Sequence, residues 1–465
     1  MNTSLSKNGY KIKKKEIDPK KIKEIKEELN VKPYVFNKTQ INDSHFQVYL
    51  ESPKRLYLPR FYGIEKFGQP LKNKIKSGDP IDLKFKGKLR KEQEPIVNSY
   101  LKASKDGGGI ISITCGGGKT VLALNIISLL QQKTIVIVHK DFLMTQWRDR
   151  ILEFLPDARI GNVQQNTIDI ENKDIVLAMV QSLSMKEYPE DTFDSFGLAI
   201  FDECHHLGAE VFHKSMSKVA SKYMLGLSAT PKRKDGCTKV FEWYIGPIVY
   251  LQKKKNEDYA EVQLIDCKFN DIQYHKEEVN FRKEPCMPRM INNICNYLPR
   301  TELTVQLIKQ YHSEGRHILI LSDRRGHLDL IYKMLDGYSR GFYVGGMKPH
   351  ELRESQEKEI LLATFSMASE GMDIPSLNTV ILASPKSDVE QSVGRIFRKK
   401  VCDRTFHPLI IDLQDDFSMF HNQCKKRIVL YHKLNFTIFH NGDEIVKKKR
   451  GRKNKIQDFS LLDDN

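Results

Sequence analysis

Two short segments carry residues whose types and spacing suit phosphate chemistry. The first is ITCGGGKT, Ile113 to Thr120, set between a strand-like apolar run and a helix-like one. Consecutive glycines, Gly116, Gly117 and Gly118, let a backbone turn with its N–H groups facing inward, and a helix starting near Lys119 aims its positive end at the same spot. Lys119 is then placed to bridge β- and γ-phosphates, and the Thr120 hydroxyl to ligate Mg²⁺. The strict GxxxxGKT pattern fails at its first position, where Ile113 stands, so the loop alone could be an ordinary turn. The second segment, LAIFDECHH from Leu198 to His206, ends an apolar strand in two acids some eighty residues beyond Lys119. In a phosphate-loop fold, Asp202 can hold Mg²⁺, usually through water, and Glu203 can orient and deprotonate an attacking water. Such an acid pair by itself is also a common solvated turn, and it gains meaning from its partner loop.

These groups need a scaffold, and the chain supplies the pattern of one. From Leu89, short apolar runs alternate with amphipathic stretches: GIISIT, VLALNIISLLQQ, TIVIVH, DFLMTQWRDRILEFL, DIVLAMV, LAIFDE and YMLGLSAT. Strand–helix–strand rhythm of this kind predicts a parallel sheet covered by helices. The charged run near 252–261 interrupts it. A second series follows: ELTVQLIKQYHSEG, HILILSD, HLDLIYKMLDG, GFYVGG, EILLATFS, TVILASP and LIIDL. Two α/β domains in tandem are expected, over residues 79–258 and 259–430, with the joint loosely defined because 259–300 mixes a strand-like run with an irregular stretch. Residues 1–78 form an accessory region whose first thirty residues are Lys/Glu-rich and helical in pattern. Its stretch Arg55–Phe67 could stack on bases or pack against the first domain, packing being the commoner use of aromatics. Residues 431–465 are expected as a basic tail, with KKKRGRKNK at 447–455 serving as a solvated end, an import signal or a nucleic-acid arm.

Within the second series, QSVGRIFR spans Gln391 to Arg398, and on a helix residues 391, 394, 395 and 398 share one face. Taken with DECH, with LSATP at Leu227–Pro231 and with MASEGMDIP near residue 370, this segment resembles the motif series of superfamily 2 helicases of the DExH type. The resemblance implies two tandem RecA-like P-loop NTPase domains, ATP and Mg²⁺ as cofactors, and nucleic acid as partner. It implies that Gln93 in LRKEQ reads adenine, that Ser228 and Thr230 link hydrolysis to domain movement, and that Thr364 touches a phosphate of the bound strand. Gly371 and Asp373 are expected near the nucleotide, and Gln391, Arg395 and Arg398 complete the catalytic set. The two arginines would present guanidinium forks that stabilise charge developing on the γ-phosphate, an effect worth roughly 10³–10⁵ in rate in related NTPases. The segments VHKDFLMTQW and MVQSL resemble family elements that contact the nucleic-acid backbone. His205 could pair with His206 on a metal, but adjacent residues point to different sides, and the resemblance implies instead that His205 couples the ATP site to LSATP.

A chain of 465 residues with 40% hydrophobic content can bury two or three cores, and a formal charge of +16 suits a polyanionic partner. The eight cysteines are scattered without zinc spacing, as expected for reduced thiols. Neither a signal-peptide core nor a membrane-length apolar run occurs in the sequence, so an intracellular protein is expected. The resemblance runs more closely to DNA-directed members, the XPB-like helicases and the poxvirus-type transcript-release helicases, than to DEAD-box RNA helicases. It therefore implies a DNA helicase or translocase of 3′-to-5′ polarity acting in viral-type transcription or repair. A motor subunit of a nuclease or restriction complex, an RNA-directed DExH helicase and an ATP-clamped binding module are the competing classes.

Overall fold

The computed structural model describes residues 2–32, 45–114, 117–203, 209–216, 218–229, 237–252, 259–369, 372–399 and 401–445. The chain divides into two compact units, Met1–Lys254 and Lys255–Asn465.

The first unit begins with a small sheet. Its elements are β1 (Ser4–Ser6), β2 (Gly9–Lys13), α1 (Pro19–Glu28), β3 (Asn30–Val31), β4 (Phe46–Gln47), β5 (Leu50–Ser52), β6 (Arg55–Leu58), α2 (Arg60–Phe67) and β7 (Lys72–Asn73). The strands run in the order β5-β6-β2-β1-β7. The helical reading of the first thirty residues therefore holds only for α1. Upstream of it Tyr10 and Ile12 are buried while Gly9, Lys11 and Lys13 are half-buried, a period of two that selects a strand. The helix starts where Asp18 caps it, its carboxylate accepting from the Lys20 N–H at 2.8 Å ahead of Pro19.

The stretch Arg55–Phe67 packs as expected at Leu56, Leu58 and Tyr62, all buried, with the Tyr62 ring edge-on to Trp243 at 5.4 Å. Arg60 fastens the small sheet to the rest of the unit. Its guanidinium donates to the carbonyls of Lys222 at 3.0 Å, Asp106 at 3.3 Å and Ser221 at 3.4 Å. It lies where a side chain at Gly107 would stand, a position whose φ of +115° also demands glycine. Burial pushes the Arg60 pKa down to about 10, which leaves it charged at neutral pH.

The larger part of the unit contains α3 (Glu94–Ser104), β8 (Gly108–Ser112), α4 (Lys119–Leu130), β9 (Thr134–Val138), α5 (Asp141–Phe154), β10 (Ile160–Gln164), β11 (Thr167–Asp169), β12 (Ile175–Met179) and α6 (Val180–Met185). There follow β13 (Leu198–Phe201), α7 (Ala209–Met216), β14 (Tyr223–Ser228), α8 (Thr238–Ile245) and β15 (Ile248–Leu251). The sheet order is β11-β10-β12-β9-β13-β14-β8-β15, and every pair but β10 with β11 is parallel. Both faces are covered, which explains why these strands read as continuous apolar runs. Ile135 and Ile137 join one core, and Val136 and Val138 join the other with α3, α4 and α5.

The second unit contains β16 (Glu261–Asp266), α9 (Met287–Asn296), α10 (Leu298–Ser313), β17 (Ile318–Ser322), α11 (Arg325–Met334), β18 (Arg340–Tyr343), α12 (Pro349–Gln356), β19 (Ile360–Thr364), α13 (Phe365–Ser369) and β20 (Thr379–Leu382). It ends with α14 (Glu390–Val393), β21 (Leu409–Gln414), α15 (Ser418–Lys433), β22 (Thr437–His440) and β23 (Asp443–Glu444). The sheet order is β18-β19-β17-β20-β21-β16-β22-β23. The residues expected as a tail from 431 instead begin as folded chain: β22 pairs in parallel with β16, so the sheet continues past 430, held by buried Tyr431, Phe436 and Ile438. The run at 447–455 lies outside the described residues. No helix among the described residues is long and apolar enough to cross a membrane.

Two buried ion pairs organise the end of β21. Arg300 grips Asp415 through two bonds of 2.7 and 2.8 Å and donates to the Ala383 carbonyl at 2.6 Å, while Tyr274 donates to the same carboxylate at 2.6 Å. Arg427 holds Asp412 in the same way and donates to the Lys386 carbonyl at 2.9 Å. All four ionic side chains are at most 1% exposed. Their additional hydrogen bonds are what makes such burial tolerable.

Candidate nucleotide-binding and hydrolysis site

Parallel strands β8, β14 and β13 lie side by side, so the loops leaving their carboxyl ends converge at one edge of the sheet. After β8 the chain enters the phosphate loop. Ile113, which breaks the consensus, directly follows the strand: it is 1% exposed and its N–H donates to the Ser228 carbonyl at 3.0 Å. The loop proper begins after it. Gly118 adopts a φ of +82°, and a Cβ there would stand 2.4 Å from the Gln93 side-chain nitrogen. Gln93 is buried, donates to the Gly117 carbonyl at 3.1 Å and accepts from the Arg90 N–H at 3.0 Å. In this structure it buttresses the loop from below. Helix α4 starts at Lys119, with half-buried Thr120 in its first turn. Gly116 lies outside the described residues.

The acids follow β13. The Asp202 N–H continues the sheet by donating to the Ile137 carbonyl at 3.0 Å, and its carboxylate accepts from the Trp147 indole at 2.8 Å. Both side chains are buried. Burial and the neighbouring Glu203 push the Asp202 pKa up, opposed by Lys119, Trp147 and His139. Glu203 occupies the left-handed region at φ +47°, an uncommon conformation for glutamate. Its carboxylate pairs with Lys119 and accepts from the Ala229 N–H at 3.3 Å. One acid thus touches both the phosphate-loop lysine and the backbone of LSATP. Ser228, at the end of β14, is fully buried. Thr230 and His205, expected to couple hydrolysis to movement, lie outside the described residues.

These residues fit a magnesium nucleotide. Glycine cradle, helix start and lysine suit phosphate, while the Thr120 hydroxyl and Asp202 carboxylate are the sparse oxygen set that Mg²⁺ takes when phosphates complete its shell. Among the described residues no cluster of three or more His, Cys, Asp or Glu forms a protein-only metal cage. The six described cysteines are free.

In the second unit Thr364 ends β19, its hydroxyl 3.2 Å from that of Ser366. The segment expected as one regular helix over 391–398 is instead α14, holding Gln391, followed by a 3-10 turn over Gly394–Phe397. Three residues per turn align Arg395 with Arg398. Arg395 is 4% exposed and donates to the carbonyls of Met372, at 2.8 Å, and Ser369. Arg398 donates to the same Met372 carbonyl at 3.2 Å and lies 3.5 Å from Asp373. Both guanidinium groups, expected as forks for charge on the γ-phosphate, are engaged here by main-chain carbonyls. The acceptors are the carbonyls of Ser369, the last residue of α13, and of Met372. Gly371 lies outside the described residues.

Trp147, which holds the Asp202 carboxylate, is not among the residues the motifs single out. Its signal is helical spacing: Leu143, Met144, Trp147 and Ile151 form the buried face of α5, and a tryptophan placed there needs an acceptor for its N–H.

Residues 86–233 match the family model described as type III restriction enzyme, res subunit, and residues 300–400 match the helicase conserved C-terminal domain. L396 of Acanthamoeba polyphaga mimivirus, which carries the name of an ATP-dependent RNA helicase, is 35% identical over 456 residues, covering 94% of this chain and 86% of that protein. The chain belongs to the superfamily 2 ATP-dependent helicases. QP509L of African swine fever virus, likewise named as an ATP-dependent RNA helicase, is 25% identical over 383 residues, with 75% of this chain and 73% of the relative covered. The DNA 3′-5′ translocase XPB2 of Sulfurisphaera tokodaii is 35% identical over 202 residues, 43% of this chain and 44% of that protein. The two family models thus fall one in each half of this helicase, on the two segments that hold the phosphate-loop residues and the paired arginines.

Proposed function

We propose that this helicase couples ATP hydrolysis to 3′-to-5′ movement on DNA, unwinding duplex or displacing bound protein, in transcription or repair of a viral type. The observation that carries the motor reading is the position of Glu203, in contact with Lys119 on one side and the Ala229 N–H on the other. When ATP takes Lys119 for its phosphates, Glu203 is released to align water, and its bond to the LSATP backbone changes with it. Thr120 and Asp202 would hold Mg²⁺, which when bound would neutralise phosphate charge, and the Trp147 indole keeps the Asp202 carboxylate oriented. Gln93 is assigned to adenine and Thr364 to a strand phosphate. Arg395 and Arg398 are assigned to charge on the γ-phosphate, which requires their guanidinium groups to exchange the carbonyls of Ser369 and Met372 for phosphate oxygens. DNA is favoured by the likeness to the translocase XPB2. RNA is the second reading, favoured by the names of the mimivirus and African swine fever virus relatives.

ATP hydrolysis is expected to rise several-fold with added nucleic acid and to vanish in Lys119→Ala. Equal rates with and without nucleic acid would sink the motor reading. Labelled-strand displacement and protein displacement, each run on DNA and RNA with 3′ and 5′ tails, decide substrate and polarity.

A further inference from the structure

The accessory sheet of the first unit buries one face, while its other face is exposed at Leu50, Arg55 and Lys72 and covered at Ser4, which is 6% exposed, with Leu50 and Tyr57 lining a pocket beside Met216 and Val219. Tyr10, Ile12, Leu56 and Leu58 point into the core. Alternation therefore sends Lys11, Lys13, Arg55 and Tyr57 to the opposite face. The register sets them in rows: Leu50 stands beside Tyr57, Tyr57 beside Lys11, Lys11 beside Ser4 and Ser4 beside Lys72. Lys13 stands beside Arg55 in the next row. Five strands at about 4.8 Å spacing make the first row about 19 Å long.

Composition and pairing give this face its sign. Residues 1–77 hold 18 Lys and Arg against eight Asp and Glu, so +10 of the chain's +16 lies there. Arg55 and Lys72 are exposed, Lys11 and Tyr57 half-buried, and Leu50 is 48% exposed. Among the described residues Lys11, Arg55 and Lys72 make no ion pair, whereas Lys13 lies 3.6 Å from Glu16. Glu51, next to Leu50 on the edge strand, sits opposite Leu56 on the other face and is taken up by Lys14 and Lys26.

We propose that this sheet face is a second nucleic-acid contact, a platform on which an unpaired strand lays its backbone along Lys11, Arg55 and Lys72 and stacks a base on Tyr57. A row of cations along an aromatic is the chemistry that takes single strands without regard to sequence. Duplex, whose bases are already stacked, can use only the cations. The proposal rests on the nucleic-acid motor reading and extends it to a surface outside the ATP-site motifs.

Binding of labelled single-stranded DNA, single-stranded RNA and duplex to the full chain, without nucleotide, tests it by fluorescence anisotropy. Tyr57→Ala should weaken single-strand binding roughly 5- to 150-fold, the range set by loss of one base–aromatic stack, and leave duplex binding unchanged. Tyr57→Phe, which keeps the ring, should bind as wild type. The triple variant Lys11→Gln, Arg55→Gln, Lys72→Gln should flatten the salt dependence of single-strand affinity by about two in log–log slope, since each phosphate contact contributes about 0.7. Thermal unfolding identical to wild type shows that these surface changes spare the fold. Full affinity and slope in both variants, with wild-type ATPase still stimulated by nucleic acid, overturns the platform and leaves the motor reading intact. A flatter slope in the triple variant with no effect of Tyr57→Ala overturns the stacked strand in favour of a plain polyanion surface. A wild-type chain that binds no strand and shows no stimulation overturns both.

Discussion

The indole of Trp147 and the carboxylate of Asp202 should be energetically coupled, and the size of the coupling follows from their geometry. The bond is 2.8 Å long between groups that are 1% and 8% exposed, so water cannot replace it cheaply. A hydrogen bond to a charged acceptor contributes about 1.5–3 kcal/mol. Trp147→Phe removes that donor and also leaves a smaller ring in the α5 core. Asp202→Ala removes the acceptor. In a double-mutant cycle the cavity cost of the smaller ring enters both arms and cancels, leaving a coupling of about 1.5–3 kcal/mol. Urea unfolding of the four proteins, followed by far-UV circular dichroism, measures it. If the bond also fixes the carboxylate for Mg²⁺, Trp147→Phe should lower stimulated ATPase about 10- to 150-fold, the same free energy at 1.36 kcal/mol per decade, with partial recovery at high Mg²⁺. A coupling below about 0.5 kcal/mol, or a Trp147→Phe enzyme with wild-type turnover and Mg²⁺ dependence, refutes the reasoning.

Other outcomes follow from the same coordinates. Glu203→Gln should keep nucleotide affinity within a few-fold while turnover drops by about 10²–10⁴, as for loss of a general base; isothermal titration and steady-state ATPase separate the two. Asp415→Asn should destabilise the second unit by about 3–5 kcal/mol because it strands the buried Arg300 charge, visible as a lower urea midpoint; Arg300→Met with Asp415→Leu should recover most of it. His327 is 3% exposed, and burial with help from nearby Arg300 holds its pKa at about 3, below the ordinary value of 6.5. The unfolded chain therefore binds an extra proton between those values. Its contribution is complete above pH 6.5 and erodes by about 1.4 kcal/mol per unit as pH falls, about 2 kcal/mol by pH 5. His327→Asn should flatten that slope by one proton in urea titrations at successive pH values.

Much of the scaffold is legible in the sequence because a parallel sheet covered on both faces demands unbroken apolar strands. Runs such as TIVIV and ILILS have few other ways to be buried. The accessory sheet was not legible in the same way: with one face outward, its lysines at alternate positions imitate a charged helix until the burial of Tyr10 and Ile12 is known. At the site, Lys119, Asp202 and Glu203 could be picked out because their chemistry requires those types at strand ends. Their supports could not. Trp147 acts through a fold contact 55 residues away, and Arg300 meets Asp415 across 115 residues, separations that no local pattern encodes. The tightened turn at Gly394–Phe397 was hidden for a different reason, since QxxGRxxR spacing suits an α-helix and a 3-10 turn alike over so few residues.

Arg60 gives the small sheet a further property. Clasped by three main-chain oxygens on two separate loops, with the Tyr62 ring wedged against Trp243, it makes the sheet a rigid outgrowth of the first unit instead of a tethered appendage. A fluorophore on the outer side of α1, at Lys20 or Lys23, would therefore turn with the first motor sheet and serve as a pointer to its orientation. Paired with a second dye on the other unit, it would test on single molecules the proposed coupling of hydrolysis to movement, as a change in energy transfer in each catalytic cycle.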